Sequence, residues 1–227
     1  MGTIMNAAAI VIGGALGLLL RKRFPERMAK AAIQVMALFT LLVGVKMALQ
    51  GEDLIMVLVS LAFGAVLGEW IGIEDRLERF GGWAEKRLHL TETSPARGFL
   101  HASLLFCVGS MAIVGSITDG LKGDYSILAT KAMMDGLISI PFATGMGIGV
   151  LGSALPVLLY QGGLTLLAKQ LQTLVTPVMI RELTSVGGVI VIGIGINILG
   201  LQRIRVGNFI PALFVIVLAL FVKGVMP

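Results

Sequence analysis

Apolar runs of near-membrane length recur from one end of the chain to the other. They lie at roughly 3–20, 31–49, 54–72, 98–118, 126–143, 145–168, 184–201 and 207–223. A helix needs about 20 apolar residues to cross ~30 Å of hydrocarbon, and all but the fifth run approach that length. Oil offers no partner for a backbone N–H or C=O, so runs of this kind must satisfy themselves as helices. The expected fold class is therefore all-α, a polytopic helical membrane protein of about eight spans forming one integral membrane domain over 1–227. Composition agrees, with 56% hydrophobic and 14% charged residues. A soluble domain carries more charge than that.

The net charge of +5 invites a nucleic-acid reading, which the positions of the basic residues oppose. They cluster in short connections between apolar runs, the pattern of the positive-inside rule. The first run has no basic residue before it and is followed at once by RKRFPERMAK. No cleavable signal peptide is apparent, and the N-terminus is expected outside. With eight crossings, twelve of the eighteen Lys and Arg residues fall inside, in 21–30, 73–97 and 202–206. Fusing the fifth and sixth runs into one crossing would carry Arg203 and Arg205 outside, so eight crossings with both termini outside is the favoured topology. The fifth run is short and holds Lys131 and Asp135, which leaves a full crossing or a re-entrant segment open. Within 73–97, EDRLERFGGWAEKRL mixes Leu77, Phe80, Trp83 and Leu88 with charges, as an interfacial helix does.

A duplication is suggested by two alignments. IGGALGLLLR (12–21) matches LGSALPVLLY (151–160) at five of ten positions, and VGVKMA (43–48) parallels IGINIL (194–199), setting Lys46 opposite Asn197. Spans 1–3 (residues 1–72) would then correspond to spans 6–8 (145–227), flanking the loop 73–97 and central spans 4 and 5 (98–143). In the topology above the copies run in opposite directions, an inverted repeat of the kind many transporters use. Duplication without transport would leave the same trace.

Charged groups in mid-membrane cost about 2.5–3.5 kcal/mol each on the insertion scale, so they mark function or a buried pair. Lys131 and Asp135 stand four apart, on one helix face. A structural ion pair and a pair that parts during transport fit equally well. Lys46 and Glu69 lie near span ends, where long side chains reach water. Asn6, Gln34, Thr40, Gln161 and Asn197 lie in or beside apolar runs and suit interhelical hydrogen bonds. The segment FCVGSMAIVGSITDGL (106–121) is unusually polar for a span. Gly109 and Gly115 would let it break, Ser110, Ser116 and Thr118 would coordinate a guest, and Asp119 would sit at an outer mouth near water.

Enzymatic readings find little support. The histidines are His89 and His101, without a metal-ligand spacing, and no G-x-S-x-G elbow occurs. Cys107, the single cysteine, excludes an internal disulfide and suits a small apolar filler. GMGIGVLG (145–152) contains a formal G-x-G-x-x-G, but neither a preceding strand nor a following ribose-binding acid accompanies it. Gly145, Gly149 and Gly152 read instead as one close-packing helix face, and Gly195 serves close packing or unwinding in span 7. No cofactor and no metal is expected.

The strings FCVGSMAIVGSITDGL, ATKAMMDG (129–136) and LYQGGLT (159–165), in that order, resemble the YdfK/YqgA-like family of bacterial inner-membrane proteins. The similarity runs from GTIMN to the last span. The matching positions are Cys107, Gly109, Ser110, Met111, Gly115, Ser116, Asp119, Gly120, Lys131, Asp135 and Gln161. The resemblance implies the bacterial cytoplasmic membrane and a family of unknown function described as transporter candidates. It brings no assigned ligand residue. The functional expectation is a secondary transporter or channel-like permease for an ion or small polar solute. Its binding residues would be Ser110, Ser116, Thr118, Asp119, Lys131, Asp135, Gln161 and Asn197, its partners lipid and further copies of itself. The competing expectation is a non-transporting scaffold or sensor that presents the basic 73–97 helix to a cytoplasmic partner.

Overall fold

The computed structural model describes residues 1–23, 26–76, 79, 95–172 and 174–224. These residues form helices and connecting turns, with no strand among them. The first helices are α1 (Gly2–Arg23), α2 (Glu26–Ala48), α3 (Leu54–Ile71), α4 (Pro95–Cys107), α5 (Ser110–Lys122) and α6 (Ser126–Met146). They are followed by α7 (Gly149–Gly152), α8 (Ala154–Leu166), α9 (Ala168–Leu171), α10 (Pro177–Leu199), a 3-10 turn (Val206–Phe209) and α11 (Ala212–Val222).

Four stretches are long and apolar enough to cross a membrane: Gly2–Arg21, Leu54–Ile71, Gly149–Leu166 and Pro177–Leu199. α4 and α5 qualify only as a pair, bent by 62° at the break between them. Ile33–Ala48 and Val206–Val222 are apolar but shorter. The chain is thus a helical membrane protein, and among the described residues four helices, or five with the broken pair, are long and apolar enough to cross. The interfacial helix expected in 73–97 falls almost entirely outside the described residues.

Helix boundaries follow local chemistry. Asp53 caps α3 by accepting the Met56 N–H at 3.0 Å, and Gly72 ends that helix in the left-handed conformation at φ +68, where glycine meets no Cβ penalty. Thr176 caps α10 by accepting the Met179 N–H at 3.2 Å. Pro177 fills the first helical position, where its missing N–H has no role. That pair starts α10 seven residues before the expected 184, and so brings Glu182 inside the helix.

The described residues fall into two compact units. The first comprises Met1–Met36, Leu77–Cys107 and Met111–Lys169; the second comprises Ala37–Arg76, Val108–Ser110 and Gln170–Pro227. These units do not follow the halves of the suggested repeat, since α1 and α8 pack together in the first.

In the first unit α1 lies against α6 at backbone distance. A Cβ on Gly13 would come within 2.1 Å of the Gly136 carbonyl oxygen, and one on Gly17 within 2.2 Å of the Ile140 oxygen. The Thr144 hydroxyl lies within hydrogen-bonding reach of the Gly17 carbonyl on α1, at 3.0 Å. Close approach gains dispersion where lipid supplies no hydrophobic drive between helices. α4 is held by Gly149, whose Cβ would meet the Pro95 oxygen at 1.9 Å, and by the Phe106–Phe142 ring pair at 6.2 Å.

The second unit uses the same device. On α10, a Cβ at Gly188 would lie 2.3 Å from the Ala48 nitrogen, and Gly195 admits Leu41. On α3, a Cβ at Gly68 would lie 1.9 Å from the Asn208 carbonyl oxygen. The turn after α10 is tied back: Glu74 N–H donates to Asn208 Oδ1 at 2.8 Å, and Gly207 N–H donates to Glu74 Oε2 at 2.9 Å. Arg205 pairs with Glu69 and Asp75 beside them.

Several glycines differ from expectation. Gly145, Gly149 and Gly152 do not share one helix, because Gly147 (φ +77) breaks the chain between α6 and α7. Gly115 sits inside α5, where its Cβ would meet Leu128 at 2.9 Å; its role is close packing rather than a break. Gly195 lies in an unbroken α10 and serves close packing, one of the two roles expected of it.

Candidate functional site

Lys131 and Asp135 lie one turn apart on α6, with side chains only 9% and 7% exposed. Lys131 Nζ donates to Asp135 Oδ2 at 2.5 Å. The same oxygen accepts from Asn6 Nδ2 of α1 at 2.9 Å. An ionised carboxylate only accepts, so this bond settles which end of the Asn6 amide is nitrogen. That nitrogen also reaches Gln161 Oε1 of α8 at 3.3 Å. Three helices of the first unit thus place four polar side chains in one network.

The network is not saturated. Among the described residues, Asn6 Oδ1 and Gln161 Nε2 have no partner, and neither do Thr3 Oγ1 and Ser116 Oγ. All four residues are buried. An orphaned buried polar atom costs about 1–3 kcal/mol, and each asks for water or a ligand. Thr3 stands one turn before Asn6 on α1. Leu128, one turn before Lys131, is touched by both Gly2 of α1 and Gly115 of α5. α1, α5 and α6 therefore converge one turn from the ion pair, which draws Thr3 and Ser116 toward the same end.

One expected geometry is corrected here. Asp119 is not open to water. It is 9% exposed and caps α1, accepting from the Met1 amine at 3.2 Å and the Gly2 N–H at 3.1 Å. A helix start has orphan donors and a positive dipole end, and a carboxylate answers both. Near Gln161, Pro156 lies in the first turn of α8, which runs unbroken to Leu166.

The other candidates disperse. Asn197, in the second unit, closes a loop: its Nδ2 donates to the Ile204 oxygen and its Oδ1 accepts the Ile204 N–H, both at 2.7 Å. Ser110 and Thr118 are half-buried on α5. Gly109 stands at the α4–α5 break with φ +154. Beside it, Val108 fills the gap at Gly187 of α10, where a Cβ would come within 1.8 Å of Val108 Cγ1. Protein thus covers the broken backbone there, as the hydrocarbon layer requires.

Sequence reading understated Asn6 and overlooked Thr3 and Glu182. The i, i+3 spacing of Thr3 and Asn6 puts both on one face, a signal visible in the sequence. Glu182 was hidden by the late start assigned to span 7.

The family model described as "Protein of unknown function (DUF554)" matches residues 1–221. The chain is 31% identical over 225 residues to the uncharacterized membrane protein YdfK of Bacillus subtilis (strain 168), covering 97% of this chain and 96% of that one. It is 29% identical over 218 residues to the uncharacterized protein YqgA of Escherichia coli (strain K12), covering 94% and 93%. No solved structure matches.

Proposed function

The chain belongs to the DUF554 family of proteins of unknown function, and on that footing we propose that it is a small transporter or channel-like permease. Its solute is an ion or small polar molecule, and its site is built on Lys131, Asp135, Asn6 and Gln161. The observation that carries this reading is the unsaturated network around a buried ion pair. Neutralising charge in a membrane needs only Lys131 and Asp135. Asn6 and Gln161 add an unpartnered acceptor and unpartnered donors beside that pair, which suits a guest bearing both kinds of group. An ammonium has three N–H donors and Asp135 takes one, so a guest can compete for either partner and part the pair.

Of the residues expected to bind, Lys131, Asp135, Gln161 and Ser116 are kept, with Asn6 and Thr3 added. Asp119 and Asn197 are reassigned to capping and loop closure.

The proposal places eight crossings in the bacterial cytoplasmic membrane with both termini outside. The crossings are α1, α2, α3, the bent α4–α5 pair, α6, α7–α8, α10 and the 3-10 turn with α11. α6 has 21 residues, about 30 Å at 1.5 Å per residue. The basic connections support this orientation. The inverted duplication and assembly as a homo-oligomer belong to the same proposal.

The test is a thermal-shift screen of the purified protein against inorganic ions, amino acids and organic acids. A ligand that binds the folded state raises its melting point by mass action. The comparison protein carries Lys131→Met with Asp135→Leu, which removes both charges and leaves neither alone. Support is a hit lost in the double variant while the variant still melts cooperatively. A screen without hits, or a hit the double variant keeps, overturns the assignment.

A further inference from the structure

The second unit contains a cavity of about 460 Å³ where the ends of three helices meet. It is lined by Glu52, Asp53 and Leu54–Met56 at the start of α3, Val178 and Glu182 of α10, and Leu220 and Lys223 at the end of α11. Its size falls within the range of small-molecule sites, about 300–1,000 Å³. Charge decides what it suits. Lys223 Nζ binds Asp53 Oδ2 at 2.6 Å, and Arg181 binds Glu52 at 3.1 Å. Those two pairs cancel, and Glu182 is the carboxylate left over.

Glu182 is 1% exposed. Its Oε1 accepts the backbone N–H groups of Glu52 at 2.9 Å and Asp53 at 3.3 Å, while Oε2 has no partner among the described residues. Gly51 packs closely against this carboxylate, since a Cβ there would lie 3.1 Å from Glu182 Oε2. The cavity therefore presents an uncompensated carboxylate, with Leu54, Ile55, Val178 and Leu220 as apolar wall.

We propose that this cavity is a second binding site, selective for a primary ammonium carried on a short apolar chain. The ammonium donates to Glu182 Oε2, and the chain lies along the aliphatic wall. The inference draws on none of the residues of the Lys131–Asp135 site and stands or falls apart from it.

Titration of the purified protein with n-butylammonium, followed by isothermal calorimetry, tests it. Tetramethylammonium has the charge without an N–H, and butyrate has the chain with the opposite charge. Binding of n-butylammonium at least tenfold tighter than either control is expected. Glu182→Gln keeps an oxygen for the two backbone amides and should weaken n-butylammonium about tenfold or more, the usual worth of a charge-assisted hydrogen bond. No binding by the native protein would mean that water serves Glu182, and equal binding of tetramethylammonium would reduce the effect to bulk charge. Either result overturns the proposal, as does unchanged affinity in Glu182→Gln.

Discussion

Asp135 holds two donors on one oxygen, Lys131 Nζ and Asn6 Nδ2. Removing only one charge of a buried pair strands the other, at a cost of about 3–5 kcal/mol. Asp135→Leu and Lys131→Met, each alone, should therefore lower unfolding free energy in detergent by about that much. The two together should cost much less than their sum, because apolar replacement of both leaves nothing stranded. Additive losses in that cycle would show that the pair does not act as a unit. Asp53 behaves differently because it is exposed to water. The Lys223 ammonium, helped by the Met56 N–H, holds its carboxyl below the usual carboxylate range. A depressed acid contributes stability above its unfolded pKa, about 3.9, and loses it as pH falls through the lower folded value. Amide-exchange protection of the first turn of α3 should accordingly fall in strongly acidic buffer. Asp53→Asn keeps a capping oxygen without the charge and should remove that acid step.

Helix contacts in this protein rest on glycine. Gly13 and Gly17 face carbonyl oxygens of α6, and a carbonyl in a helix has no rotamer by which to move aside. Gly13→Val and Gly17→Val should each destabilise by at least the ~1–3 kcal/mol typical of overpacking, read as a lower midpoint in denaturant. Gly163 provides the contrast. It has nothing within 4 Å of an added Cβ, so Gly163→Ala should be neutral or slightly stabilising through helix propensity. The α4–α5 break depends on another property of glycine. Gly109 has φ +154, a conformation that side chains strain against. Gly109→Ala should cost about 1–3 kcal/mol although the nearest atom to its Cβ, Met47 Cε, is 3.9 Å away.

For the chain as a membrane protein, the sharpest test is sidedness. In the proposed orientation, a cysteine placed at Lys169 in a Cys107→Ser background should react in intact cells with a membrane-impermeant thiol reagent. One placed at Arg203 should react only after the membrane is opened. Labelling of Arg203 in intact cells would overturn the proposed orientation. The pairing of Arg205 with Glu69 and Asp75 joins the end of α3 to the turn after α10, and the proposed topology likewise puts these two segments on one side.

Much of this protein is written in local sequence. Apolar runs become helices because lipid leaves the backbone no other partner, and Asp53, Thr176, Pro177, Gly72 and Gly147 mark their ends by chemistry confined to a few residues. The Lys131–Asp135 pair is legible for the same reason, since four residues make one helical turn. Asn6 joining it across 129 residues is not legible, because the sequence carries no term for which helix faces which. Asp119 shows the limit most clearly. Its place near a polar helix end suggested water, yet the start of α1 lies against it and supplies two N–H donors. Glu182 meets the Glu52 and Asp53 amides only because the chain leading into α3 lies beside α10. Span and helix-end chemistry act over one turn of chain; the company a polar side chain keeps is decided by packing between turns far apart in sequence.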